Sequence, residues 1–130
     1  MLNPHRGETA LLAGKKILLV EDNPVTVAFF VKAFTRSGAE LVTVRTVDAA
    51  RQAVSPELSL AIIDINLGDG GTGTDLLPCL RSAGVTTVVC TASDWPAPPS
   101  GVHVWSKAAL GLNLLSRVVA LLANRRHDRG

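Results

Sequence analysis

The most regular feature of the sequence is a series of short apolar runs separated by longer mixed segments. The runs are rich in Val, Ile and Leu, which is typical of strands in a parallel sheet buried on both faces. They predict five strands, at Lys16–Val20, Leu41–Val44, Leu58–Ile63, Thr86–Cys90 and Val102–Trp105. Because helix-compatible segments lie between several of these strands, the pattern predicts an α/β fold.

Two of the predicted helices have clear sequence signals. The first begins at Asp22-Asn23-Pro24, where a capping side chain precedes a proline in the first turn, and ends before Ser37-Gly38. Its apolar residues recur at helical spacing, so we expect them in the core: Val27, Phe30, Val31 and Phe34. The last helix has an apolar face made of Leu110, Leu114, Leu115, Val118, Val119, Leu121 and Leu122.

The segment between the fourth and fifth predicted strands interrupts this alternation. Short helices are predicted at 46–53 and 74–82, but Ser93–Gly101 carries three prolines in four positions. Such a segment is too proline-rich for a helix of several turns, so we expect a turn or loop there. The predicted architecture is a doubly wound, five-stranded parallel sheet between helical layers, with its fourth helix shortened or absent.

Composition places these elements in one domain. The chain has 130 residues, of which 47% are hydrophobic and 18% charged, and its net charge is +2. These values suit a globular domain and predict no nucleic-acid partner. The basic cluster Arg125–Arg129 is predicted to be a solvated tail, with an anion-binding tail as the alternative.

The sequence also predicts where the protein works. No apolar run reaches the roughly 18 residues of a membrane span, and the first residues lack the apolar stretch of a signal peptide. Cys79 and Cys90 lie in apolar patterns without metal-ligand spacing, so we expect buried, reduced thiols. A cytoplasmic location without membrane contact follows as an expectation.

Acidic residues follow two of the predicted strands. Glu21 and Asp22 come directly after the first strand, and Asp64 closes the third. In a parallel sheet of this type the carboxyl ends of the strands meet at one crevice, so the three acids should lie together. Clustered carboxylates repel one another unless a hard cation offsets their charge. The cluster therefore predicts a Mg²⁺ site.

Two further strand ends add phosphoryl-transfer chemistry. Thr91 follows the fourth strand and Lys107 the fifth, and these side chains suit the oxygens of a transferring phosphoryl group. Asp64 is the expected nucleophile, because an aspartate carboxylate can attack phosphorus and hold the group as an acyl phosphate. Asn66, two residues later, offers a backbone carbonyl as a further Mg²⁺ ligand.

Each residue also has a simpler interpretation. Asp22 alone could be a helix cap, Thr91 a strand-end hydroxyl and Lys107 a solvated lysine. The glycine-rich run at 68–73 matches a dinucleotide-binding pattern by letter, but it follows the third strand rather than the first. A turn beside the site is the preferred interpretation of that run. Only the joint placement of the acids, the threonine and the lysine favours a phosphoryl site.

Four motifs in order resemble the receiver domains of two-component response regulators. They are Lys16-Ile-Leu-Leu-Val-Glu-Asp-Asn-Pro24, Ala61-Ile-Ile-Asp-Ile-Asn-Leu67 with Gly73, Val89-Cys-Thr-Ala92, and Lys107. The resemblance covers residues 15–124, which leaves a leader at 1–14 and a basic tail at 125–130. It implies a flavodoxin-like three-layer αβα fold, phosphorylation of Asp64 by a histidine kinase or phosphotransfer protein, and a conformational switch through Thr91. The implied domain is a signalling module that catalyses only its own phosphotransfer and dephosphorylation.

The sequence departs from the family pattern at three places. Ala108 stands where the family usually has a proline after the lysine, and Val104 stands at the switch position usually held by an aromatic residue. The shortened fourth helix resembles that of receivers attached to, or encoded with, hybrid sensor kinases. We therefore expect a stand-alone or relay module, monomeric or weakly dimeric, that signals by rearranging the 94–101 and 68–73 loops.

Two other functional classes remain as alternatives. A pseudo-receiver would keep the fold as a protein-binding module without productive phosphorylation. A phosphatase with an aspartyl-phosphate intermediate would want a second acid two residues after the nucleophile, and this chain has Asn66 there.

Overall fold

A computed structural model of the protein describes residues 11–67, 72–92, 95, 98–107 and 113–129, with side chains as far as residue 123. The described residues form one five-stranded parallel sheet in the order β2-β1-β3-β4-β5. The strands are β1 (Lys16–Val20), β2 (Glu40–Val44), β3 (Leu60–Asp64), β4 (Thr86–Thr91) and β5 (His103–Ser106). This order confirms the predicted doubly wound, flavodoxin-like fold.

Four α-helices lie among the described residues. They are α1 (Pro24–Phe34), α2 (Val47–Ala53), α3 (Leu77–Ser82) and α4 (Leu114–Arg129), and a 3₁₀ turn at Gly73–Leu76 leads into α3. Pro78 lies in the first turn of α3, where its missing N–H has no intrahelical partner to lose. Thr46 caps α2 by accepting the Ala49 N–H at 3.1 Å.

The helices cover both faces of the sheet and make two separate cores. On one face, Phe30 and Phe34 of α1 and Val118 of α4 pack with β1 residues such as Ile17 and Leu19. On the other face, residues of α2 and α3 pack with the alternate β1 residues Leu18 and Val20. Because successive strand side chains point to opposite faces, the two cores share the same strands. The result is the predicted three-layer αβα arrangement.

The strand ends differ from the predictions by one or two residues. Asp64 and Thr91 are the last residues of β3 and β4, and both side chains are buried. The prediction that Thr91 follows its strand was therefore wrong, as was the start of β3 at Leu58. The fifth strand is also displaced by one residue, beginning at His103 rather than at Val102.

Not every apolar residue of the predicted helix faces enters the core. Val31 is 45% exposed, whereas Phe30 and Phe34 are almost fully buried. Val31 lies one position after Phe30, which turns it about 100° around the helix axis and away from the sheet. In α4, Leu114, Val118 and Leu122 are buried and the other described members of the predicted face are half-buried; Leu110 lies outside the described residues.

Both predicted domain boundaries fall inside structured chain. Leu12, placed in the leader by sequence, is 2% exposed and belongs to the core of α1 and α4. Its N–H donates to the carbonyl oxygen of Ser37 at 2.8 Å, which ties the turn before β1 to the turn after α1. At the other end, the backbone of α4 is helical through Arg129, so the predicted basic tail lies largely within that helix.

The connection between β4 and β5 contains no helix among its described residues, 92, 95 and 98–102. Arg81 of α3 donates to the carbonyl oxygen of Ser100 at 3.0 Å, which holds this connection beside α3. Residues 93, 94, 96, 97 and 108, and most of the glycine-rich run, lie outside the described residues. The described part of this connection agrees with the prediction that the helix between the fourth and fifth strands is shortened or absent.

Two expectations about the setting concern thiols and membranes. Both cysteines are unpaired: Cys90 is buried, as predicted, whereas Cys79 is only half-buried. Within the described ranges, no helix is long and apolar enough to cross a membrane.

Candidate functional site

The three predicted acids lie together at the carboxyl ends of β1 and β3. Each of Glu21, Asp22 and Asp64 offers a carboxylate oxygen, and these oxygens lie within 4.8 Å of one another. Glu21 and Asp64 are buried, with 2% and 7% of their surface exposed, whereas Asp22 is half-buried. The parallel topology therefore brings the acids to one point, as the sequence predicted.

Lys107 is positioned just after β5 and reaches into this acidic cluster. Its Nζ donates to Asp64 Oδ2 at 2.9 Å and lies 3.1 Å from Glu21 Oε1. The lysine side chain is 25% exposed, and the carboxylate side chains are 3% and 8% exposed. One ammonium group thus balances the charge of two buried carboxylates. The alternative interpretation of Lys107 as a solvated lysine was therefore wrong.

Electrostatics within the cluster follow from burial and proximity. Burial and the neighbouring Asp64 raise the pKa of Glu21 above its ordinary value of 4.5, although Lys107 opposes the shift. Burial lowers the pKa of Lys107, but its hydrogen bonds to Asp64 and Glu21 outweigh burial, so the pKa is raised above 10.5. The lysine is therefore held in its charged form.

The backbone at the start of α1 fixes the orientation of Glu21. The Glu21 carboxylate accepts the N–H groups of Asp22 at 3.1 Å and Asn23 at 3.3 Å. Asn23 in turn caps α1, because its Oδ1 accepts the Val25 N–H at 2.9 Å. The cap is Asn23 rather than Asp22, so the capping alternative for Asp22 was wrong and its carboxylate belongs to the acidic cluster.

The chain just after β3 stays close to the Asp64 carboxylate. Asp64 Oδ1 accepts the N–H of Asn66 at 3.3 Å. Asn66 forms an antiparallel bridge with Thr72, and the Gly73 N–H donates to the carbonyl oxygen of Ile65 at 3.0 Å. The role predicted for the Asn66 carbonyl, as a Mg²⁺ ligand, stays a prediction.

The two predicted switch residues lie on the neighbouring strands β4 and β5, two register positions apart. Thr91 is buried at the end of β4 and is in register with Ser106 of β5. Val104 is half-buried and in register with Val89. The switch roles of Thr91 and Val104 remain predictions, because they concern a change between two states.

A contact that the sequence did not predict lies on the opposite face of β5. Asp64, Cys90 and Trp105 are register neighbours on β3, β4 and β5. The guanidinium of Arg117 in α4 lies 4.2 Å from the ring centroid of Trp105, which is a cation–π contact. Burial is the main cause that raises the pKa of the Cys90 thiol to about 12, so that thiol is inert. Trp105 and Arg117 are twelve residues apart and lie on different elements, so no local sequence pattern predicts their contact.

The donor set determines which ion would suit the cluster. Three carboxylates within 4.8 Å provide only oxygen ligands, with no thiol or imidazole among them. Such a set suits a hard divalent cation such as Mg²⁺ rather than zinc or copper. Glu21, Asp22 and Asp64 are the residues that would hold it.

Comparisons with solved structures agree with the fold. The N-terminal domain of a response regulator/sensory box/GGDEF three-domain protein from Carboxydothermus hydrogenoformans is 25% identical, with a TM-score of 0.72, over 89% of this chain and all of that one. A response regulator receiver domain protein from Bacillus halodurans C-125 is 18% identical, with a TM-score of 0.66, over 85% of this chain and 95% of that one.

A longer neighbour is the response regulator PhyR from Brucella abortus. It is 18% identical to this chain and has a TM-score of 0.74, and the match covers 98% of this chain but 56% of PhyR. No family model and no curated protein matches the sequence. This chain has the fold of the response regulator receiver domains to which it is similar.

Proposed function

We propose that the domain accepts a phosphoryl group on Asp64 from a phosphohistidine protein, with Mg²⁺, and later loses it by hydrolysis. The observation that carries this proposal is the Asp64 carboxylate, which contacts Lys107 Nζ at 2.9 Å and lies within 4.8 Å of the oxygens of two further acids. A nucleophile, a fixed cation and a set of metal ligands therefore occupy one strand edge.

The chemistry requires only one covalent partner from this chain. A carboxylate oxygen of Asp64 attacks phosphorus while the phosphorus–nitrogen bond to the donor histidine breaks, and the histidine nitrogen recovers the electron pair. Attack of water on phosphorus then releases inorganic phosphate and restores the carboxylate. Mg²⁺, when bound, neutralises charge on the transferring oxygens.

Lys107 and Thr91 have distinct parts in this proposal. Lys107 Nζ contacts the Asp64 carboxylate directly. After transfer, the same ammonium group is close enough to contact the phosphoryl oxygens and to balance their negative charge. Thr91 ends β4, beside the strand that carries Asp64, and its hydroxyl is the candidate contact that shifts on phosphorylation. Glu21 and Asp22 supply carboxylates for the cation.

The proposed partners are a histidine kinase or histidine phosphotransfer protein and an output protein that the phosphorylated form recognises. Two unpaired cysteines support a reducing compartment such as the cytoplasm. The chemistry of the domain is limited to its own phosphotransfer and dephosphorylation, so we class it as a signalling module rather than an enzyme acting on other substrates.

Phosphorylation is tested directly with acetyl phosphate as a small-molecule donor. With Mg²⁺, mass spectrometry of the full chain should show one phosphoryl adduct that is stable in acid and labile in base. The adduct should be absent in Asp64→Asn and present in the surface control Asp48→Asn, whose carboxylate is 91% exposed. If the wild type forms no adduct and binds no beryllofluoride, the domain is a pseudo-receiver with a protein-binding role.

Metal binding is tested separately by calorimetric titration. Asp22→Ala should abolish Mg²⁺ binding, because it removes one of three clustered ligands, whereas Asp48→Ala should leave it unchanged. Circular dichroism establishes that both variants are folded. Equal Mg²⁺ affinity in folded Asp22→Ala and in the wild type would refute the metal assignment.

The proposed signal travels through Thr91 to residues 68–73 and 94–101. On beryllofluoride binding, changes in amide hydrogen exchange should concentrate in residues 68–73 and 94–101. These changes should shrink in Thr91→Ala and persist in Val104→Ala, because a valine cannot make the inward swing of an aromatic side chain. Changes confined to α4, or a dependence on Val104 alone, would exclude this route.

A further inference from the structure

The chain leaves β3 at Asp64 and folds back beside the end of this strand at Thr72 and Gly73. Asn66 forms an antiparallel bridge with Thr72, and the Gly73 N–H donates to the carbonyl oxygen of Ile65 at 3.0 Å. We call these two contacts the β3 clamp. They close the loop between Asn66 and Thr72 at its base, directly beside the Asp64 carboxylate.

Gly73 allows this clamp to form because it has no side chain. A methyl group built on Gly73 would lie less than 3.0 Å from two atoms, the carbonyl oxygen of Asp64 and Cγ2 of Ile63. The φ of Gly73 is not in the left-handed region, so backbone conformation does not require a glycine here. The requirement comes from the close approach alone.

The neighbours of Gly73 have no room to move away. Ile63 is fully buried and Asp64 is 7% exposed, and both belong to the central strand β3. β3 pairs with β1 on one side and with β4 on the other. An added methyl group would therefore displace the segment at 72–73 rather than the sheet, and the β3 clamp would open.

Opening the clamp would release Asn66. The Asn66 N–H donates to Asp64 Oδ1 at 3.3 Å, so the backbone at Asn66 helps to orient the carboxylate that the acidic cluster shares. The Asn66 side chain is exposed. The hydrogen bond of Asn66 to Asp64 is made by its backbone, which the clamp holds in place.

We infer that Gly73 is a positioning residue for cation binding: its bare Cα lets the β3 clamp hold the Asn66 backbone against the Asp64 carboxylate. The inference rests on the proposed function, because it assumes that the acidic cluster binds Mg²⁺. It adds that the affinity is set partly by a residue that contacts neither the ion nor any carboxylate oxygen.

The test compares two variants of the full chain with the wild type by calorimetric Mg²⁺ titration. Gly73→Ala should weaken Mg²⁺ binding by about tenfold, the size of effect typical of residues that orient metal ligands. Gly84→Ala is the matched control: its φ of 73° makes alanine strained, but a methyl there meets nothing within 4 Å. It should lose stability and keep its Mg²⁺ affinity.

A second readout needs neither metal nor phosphorylation. In the metal-free wild type, the Gly73 amide should be protected from hydrogen exchange, and in Gly73→Ala the amides at 66 and 73 should exchange faster while those of β3 stay protected. If Gly73→Ala does not fold, the inference is tested by the exchange rate of the Gly73 amide in the wild type. A Gly73 amide that exchanges as fast as one in an unstructured peptide overturns the inference.

The outcomes separate this inference from the proposed function. A wild type that binds no Mg²⁺ refutes the proposed metal site, whatever the exchange data show. A wild type that binds Mg²⁺, together with a folded Gly73→Ala of equal affinity, refutes the role of Gly73 and leaves the metal site intact.

Discussion

Replacing Lys107 with methionine tests the electrostatic balance of the site. The change removes the ammonium group that contacts Asp64 at 2.9 Å and Glu21 at 3.1 Å, and it keeps an unbranched side chain of similar length. Two carboxylates that are at most 8% exposed would then face each other without a fixed cation. We expect the free energy of unfolding to fall at neutral pH.

The magnitude follows from the burial of the three groups. Breaking a fully buried ion pair costs about 3–5 kcal/mol, because the remaining charge is left uncompensated. Lys107 is 25% exposed, so water already screens part of this interaction. We therefore expect a loss of about 2 kcal/mol, between the buried value and the small value of surface pairs.

The pH dependence has a definite sign. The pKa of Glu21 is raised above 4.5 in the folded protein. Ionising this group therefore destabilises the fold, and stability is lost as the pH rises from the ordinary pKa of 4.5 through the pKa of the folded state. Removing Lys107 strengthens this effect, and the variant should recover towards the wild type on acidification. In the wild type, the raised pKa of Lys107 contributes stability that is present below 10.5 and lost as pH rises through the folded value.

Mg²⁺ should rescue the variant more than the wild type. In the wild type, the ion must share Glu21 and Asp64 with the lysine ammonium, whereas in Lys107→Met those oxygens face no internal competitor. A ligand at ten times its Kd stabilises the folded state by about 1.4 kcal/mol, so tighter binding gives a larger shift.

The assay is urea denaturation followed by far-ultraviolet circular dichroism, at about pH 8 and about pH 5, with and without Mg²⁺. Lys32→Met is the matched control, since Lys32 is exposed on α1. The reasoning is wrong if Lys107→Met is as stable as Lys32→Met at the higher pH. It is also wrong if the loss is the same at both pH values and Mg²⁺ stabilises both variants equally.

Three further predictions concern the scaffold, each measured as a change in urea midpoint. Phe30→Ala should lower the free energy of unfolding by about 3–5 kcal/mol, because Phe30 is 1% exposed. Val25→Ala on the same helix should change it by no more than about 0.5 kcal/mol, because Val25 is 76% exposed. Equal losses in the two variants would contradict the assigned helix face. Asn23→Ala should cost about 1 kcal/mol by removing the α1 cap, and a serine there should restore most of it. Arg117→Ala should cost about 0.5–1 kcal/mol and change the near-ultraviolet dichroism of Trp105, and an unchanged spectrum would argue against the cation–π contact.

Most of the fold and the acidic cluster could be predicted because both depend on simple periodicity. Buried parallel strands are apolar runs, and their carboxyl ends meet at one edge, so Glu21 and Asp64 could be brought together from sequence alone. Val31 was misplaced because a helical pattern with adjacent apolar residues does not fix the direction of the buried face. The capping residue was ambiguous for a similar reason, since Asp22 and Asn23 are both good caps.

Other features depend on contacts through space that leave no local pattern. The burial of Leu12 arises from its packing between α1 and α4 and from a hydrogen bond to Ser37, more than twenty positions along the chain. The need for a glycine at position 73 comes from the backbone of β3 rather than from a turn. The Trp105–Arg117 contact joins a strand to a helix that follows it.

The row formed by Asp64, Cys90 and Trp105 also has an optical consequence. Adjacent strands lie about 4.8 Å apart, so the indole is roughly 10 Å from the strand position of the acidic edge. Indole emission depends on nearby charge, and this ring already has a guanidinium 4.2 Å from its centroid. The only other tryptophan is Trp95, so replacing it with phenylalanine would leave a single emitter. The unlabelled protein therefore has a built-in fluorophore two strands away from the acids at which the proposed ion and phosphoryl group would add or remove charge.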